Sequence, residues 1–118
     1  MFEFINNSDF FNYAFEKIFI AIGSNGQGQV YAATSIGLKN IRNKYKEFRA
    51  ELDEKGYLDE WIKYDLDTYD HAISALMEYF LSNPSNLTKR DAIIYASYLR
   101  ANHQGFYQLA NQLKNKSS

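Results

Sequence analysis

The chain has 118 residues, of which 46% are hydrophobic, 17% aromatic and 23% charged; its formal net charge is -1 and it has no cysteine. That length supports one core rather than two ordinary domains, and the apolar content excludes a disordered chain. One proline and no cysteine argue against a many-turned β fold, a disulfide framework or a thiolate metal site, leaving a single all-α, cytoplasmic domain over 1–118 as the expectation.

The opening "MFEFINNSDFFNYAFEKIFIAIG" is apolar but has no basic leader and no Ala-x-Ala cleavage pattern, and Glu16-Lys17 interrupts it. No stretch reaches the roughly 18 uninterrupted apolar residues of a membrane span. Residues 1–7 are expected to be an N-terminal extension. Ser8 offers an N-cap with Asp9 in the first turn, and Phe11, Phe15, Ile18 and Ile22 recur at helical spacing up to a stop at Gly23. "GSNGQGQ", 23–29, lacks the lysine and the preceding strand of a phosphate loop and reads as a connection.

The second predicted helix runs from about Gln27 to Glu54, with Tyr31, Thr34, Leu38, Ile41, Tyr45, Phe48 and Leu52 on one stripe; Gly37 could bend it or admit a neighbour. Gly56 ends it as a left-handed cap. The third begins near Leu58 or Asp59 and buries Ile62, Leu66, Tyr69, Ile73, Leu76 and Phe80; "SNPSN" then turns the chain. Thr88 and Asp91 form a capping box for the fourth helix, which carries Tyr95, Tyr98, Leu99, Phe106, Leu109 and Leu113. Gly105 could split that helix, and 115–118 should fray. Four stripes joined by short loops predict an antiparallel up-and-down four-helix bundle.

Charge is segregated. Residues 38–50 hold Lys39, Arg42, Lys44, Lys46 and Arg49 against Glu47, a local +4; residues 51–70 hold eight acids against Lys55 and Lys63, a local -6. Lys39, Arg42, Lys46 and Arg49 share one narrow arc. That arc is either a nucleic-acid surface, on a chain that is not basic overall, or a solvated face paired with acids of a neighbouring helix. On the third helix, Tyr64 and His71 point away from the core, Glu60, Asp67 and Glu78 flank them, and Trp61 stands at one edge. Rings that supply contact area among carboxylates that steer encounter suit a basic partner protein. The alternatives are that the first helix, the C-terminal end or a second copy of the chain covers Trp61 and Tyr64. His71 and His103 belong to no metal-binding or nucleophilic motif, although Asp67 precedes His71 by four; no metal, cofactor or catalytic residue is expected.

"NHQGFYQ", Asn102 to Gln108, resembles the Asn-x-Gly-Gly-Phe-x-Gln stretch of a helical family found among bacterial DNA-mimic and toxin-immunity proteins, with Gln104 in place of the first glycine and Arg100 in place of the preceding acid. The resemblance covers seven residues. With the acidic-aromatic face, it implies inhibition by occupancy of the basic active site of a toxin nuclease. The rival expectations are a nucleic-acid-associated accessory subunit that uses the basic arc, and a structural homo-oligomer.

Overall fold

The computed structural model describes residues 2–24, 28–82 and 86–116. A short 3-10 helix, Glu3–Asn7, leads into α1 (Ser8–Gly23), α2 (Gly28–Glu54), α3 (Glu60–Leu81) and α4 (Lys89–Lys116). α1 packs on α2 and α4, and α3 packs on the same two. This is the expected all-α bundle, with sequential helices side by side. No described helix is long and apolar enough to cross a membrane.

Local chemistry sets the helix ends. After α2, Gly56 sits at φ 78°, where a Cβ would be strained, so Tyr57 N–H can reach Leu52 O at 2.8 Å and Gly56 N–H can reach Asp53 O at 3.1 Å. Asp59 starts α3 by accepting Ile62 N–H at 2.8 Å. Before α4, Thr88 Oγ1 accepts Asp91 N–H at 3.0 Å and Asp91 Oδ2 accepts Thr88 N–H at 3.3 Å, the reciprocal capping box.

Several expectations are corrected. The N-terminal residues are not an extension: Phe2 and Phe4 are buried, Phe4 stacks on Phe48 at 4.3 Å, and Phe2 N–H donates to Glu51 Oε1 at 2.7 Å. Their apolar side chains close one end of the core. Ser8 is the first residue of α1 and not its cap. Asn7 holds the cap position but makes no side-chain cap bond; its Nδ2 donates back to Glu3 O at 2.8 Å within the 3-10 turn. α4 is continuous through Gly105 and reaches Lys116, so the helix is not split; buried Phe106 and Ala110 carry the core stripe past the glycine. Gly37 has no close neighbour, since a Cβ there would meet nothing within 4 Å. Parts of the two predicted connections, Asn25–Gln27 and Asn83–Ser85, and residues 117–118 lie outside the described residues.

The core is unusually aromatic where α2, α3 and α4 meet. Tyr45 stacks on Tyr69 at 4.1 Å, Phe106 meets both edge-on, and Tyr69 Oη donates to Leu99 O at 3.1 Å. Each hydroxyl thus keeps a partner when the ring is buried. Burial raises the pKa of both tyrosines, so they stay neutral.

Candidate functional site

The helical wheel of α3 turns three sides to different surroundings. Leu66, Tyr69, Ile73, Leu76 and Phe80 face the core. The opposite side carries Glu60, Trp61, Tyr64, Asp67, His71 and Glu78, all exposed. Trp61 is 81% exposed and Tyr64 68%, and no described segment covers either ring. Trp61 is in the first turn of the 22-residue α3, just after the Asp59 cap, and Tyr64 lies one turn further on, so both rings are presented on an ordered helix.

The carboxylates do not form a free acidic field. Arg49 Nη1 donates to Asp67 Oδ1 at 2.6 Å, and Arg42 Nε donates to Asp70 Oδ1 at 2.8 Å. Arg42 also reaches Ser74 Oγ and Asp70 O, the latter at 3.4 Å. Lys63 Nζ lies 3.4 Å from Glu60 Oε1, at the outer limit of a hydrogen bond. Half of the basic arc is therefore joined to α3, while Lys39 and Lys46 remain exposed, with no ion pair among the described residues. Asp67 shifts from the proposed contact face to the α2 seam. Glu60, Asp65 and Glu78 keep their charge toward solvent.

On its other edge α3 meets α4 in a shallow groove lined by Thr68, His71, Ala72, Ile94, Tyr95 and Tyr98, and the surface it presents is carbon throughout. Thr68 contributes its methyl because its hydroxyl donates to Tyr64 O at 2.8 Å. Burial, followed by the nearby Asp65 carboxylate and Tyr64, raises the Tyr98 pKa. Ile94 is 57% exposed on the far rim. The sequence reading missed this α4 contribution: the apolar pair Ile93-Ile94 falls beside the stripe instead of on it.

The two histidines differ. His71 is exposed, and among the described residues no hydrogen bond joins it to Asp67. His103 is in the core, in contact with Phe4, Phe11, Phe15 and Tyr45, with Nδ1 sharing a 2.7 Å hydrogen bond with Tyr45 Oη. Desolvation lowers its pKa to about 4, so it is neutral at pH 7. No group of three potential ligands for a metal ion occurs among the described residues.

No family model, curated protein or solved structure matches the chain. The Asn102–Gln108 stretch lies inside α4, where His103 and Phe106 serve the core and Gln104 and Gln108 face outward.

Proposed function

We propose that the protein acts by occupancy: it docks the outer face of α3 on a basic surface of a partner protein and blocks it. The partner class suggested by the resemblance in Asn102–Gln108 is a toxin nuclease, whose substrate-binding cleft must be basic. One observation carries the reading: Trp61, the only tryptophan of the chain, is 81% exposed on a rigid helix, beside Tyr64. Exposed rings of this size on an ordered scaffold have little entropy left to lose on binding and supply the contact area typical of interface anchors. The residues assigned to the contact are Trp61, Tyr64, Glu60, His71 and Glu78, with Asp65 added and Asp67 acting through its pair with Arg49.

The basic arc offers less support for a nucleic-acid role, because Arg42 and Arg49 are already engaged by Asp70 and Asp67. Co-expression with a nuclease toxin encoded beside its gene tests the proposal. Wild type should protect, Trp61→Ala should cost ~2 kcal/mol or more of affinity, mainly through faster dissociation, and Glu60→Lys with Asp65→Lys should slow association in a salt-dependent way. A folded Trp61→Ala, Tyr64→Ala double variant that protects as wild type does would rule this face out.

A further inference from the structure

The N-terminal turn closes one end of the core with two rings and few other ties. Phe2 meets Phe48 edge-on at 5.9 Å, and Phe4 lies against Phe48, Tyr45, Phe11 and His103. The segment packs on α1, α2 and α4 but not on α3. Three features weaken the closure. Phe2 is the one non-glycine among the described residues at positive φ, 53°, a left-handed conformation that a bulky side chain holds only under constraint. The joint to α1 is uncapped, since Asn7 bonds back to Glu3 O inside the turn, so parting the chain there costs α1 no cap. A cavity of about 200 Å³ opens between the turn and α2, with buried Phe4 and Phe48 beneath it and Glu3, Glu47, Glu51 and Lys44 around it.

Behind Phe4 lies His103. It meets Phe4 from the N-terminal turn, Phe11 and Phe15 from α1 and Tyr45 from α2, and α3 presents Tyr69 behind Tyr45. On α4 itself, Arg100 one turn earlier is turned onto Phe19 at 4.6 Å, and half-buried Tyr107 follows one turn later. No carboxylate contacts His103 among the described residues, and desolvation is the cause of its lowered pKa. A proton on this ring therefore needs water. Of the elements that wall it in, the N-terminal turn is the shortest, and lifting it admits water at the least loss of packing.

We infer that the segment Phe2–Asn7 is an acid-released plug: a proton on His103 is accommodated by lifting this segment off the end of the bundle, while α1 to α4 stay packed. The rim carboxylates do not drive the release. Glu3 on the plug repels Glu47 and Glu51 on α2 when all are charged, so protonating them favours closure. Glu51 alone would also lose strength as the acceptor of Phe2 N–H. The device is independent of the docking role proposed for α3.

The test labels the intact chain. Asn6→Cys puts the single thiol of the protein on an exposed position of the turn, where a nitroxide reports mobility by electron paramagnetic resonance. From pH 7 to pH 4 the ratio of mobile to immobile label should rise roughly a hundredfold, as follows from a His103 pKa of about 4 under the plug and about 6.5 in water. The far-ultraviolet helix signal and the Trp61 emission should keep their pH 7 values over that range. With His103→Gln the label should stay immobile at pH 4. With Glu51→Gln, which keeps an oxygen for Phe2 N–H, release should persist. A label that stays immobile in the otherwise native chain, one freed only together with loss of the helix signal, equal release with His103→Gln, or release abolished by Glu51→Gln would overturn the inference. Should His103→Gln fail to fold, nuclear magnetic resonance of the unlabelled protein decides: protonation of the His103 ring and loss of amide protection in residues 2–7 should share one midpoint, and separate midpoints would contradict the plug.

Discussion

Along its α2 edge α3 is tied by charged groups: Arg42 bridges to Asp70 and Ser74, and Arg49 to Asp67. Along its α4 edge, half-buried Tyr95 and Tyr98 and exposed Ile94 border buried Ala72, and no ion pair crosses them among the described residues. Both edges lie over the same aromatic core, so the difference belongs to the surface alone. Ion pairs fix the register of two helices and give a neighbour no apolar area to cover. An unstrapped apolar edge does little for the bundle itself, so its exposed rings can be committed to a contact made elsewhere.

The shared core should show the largest effects. Ile41→Ala beneath the strapped seam and Leu99→Ala beneath the open one should each cost about 2 to 5 kcal/mol in chemical denaturation, because both side chains are fully buried. Losses under ~0.5 kcal/mol at either would mean that the core does not run beneath both seams.

Next in size is the pH response of His103. Its folded pKa of about 4 lies below the ordinary 6.5, so the unfolded chain binds the proton first as pH falls. Its contribution is complete above pH 6.5 and is lost between there and about pH 4, up to about 3 kcal/mol. His103→Gln should remove that slope. An unchanged acid profile would place the sensitivity at the carboxylate seam instead.

Much of the fold was legible because helix ends and stripes are local: the Thr88/Asp91 box, the Gly56 cap and the buried side of α3 all follow from residues within one or two turns. What the sequence hid was long-range. Phe2 and Phe4 looked like an extension because their partners, Phe48 and Tyr45, lie some 40 residues away. His103 follows buried Leu99 by four and precedes buried Phe106 by three, so its spacing already placed it on the core stripe, but hydrophobic scoring passes over histidine. At the candidate site, exposure of Trp61 and Tyr64 could be read from the helical period, whereas the engagement of Asp67 and Asp70 by arginines of α2 required the packing of two helices.

Smaller effects separate the two edges. Gly105→Ala should stabilise by up to about 1 kcal/mol, since α4 is continuous there and a Cβ meets nothing within 4 Å. A destabilised variant would mean that the helix breaks at that point. Arg42→Ala and Arg49→Ala should cost about 0.2 to 1 kcal/mol and less at high salt, whereas Ile94→Ser on the open edge should stay within about 0.5 kcal/mol of wild type. Equal costs on both edges would erase the contrast.

An occupancy role requires that the Trp61 face stand open until a partner arrives. Quenching of tryptophan fluorescence by a neutral quencher, measured over a hundredfold range of protein concentration, reads that one side chain directly. The quenching and emission should be those of a solvent-exposed indole at every concentration. A protected, short-wavelength signal at high concentration that relaxes on dilution would contradict it, because a second copy of the chain would then already occupy the face.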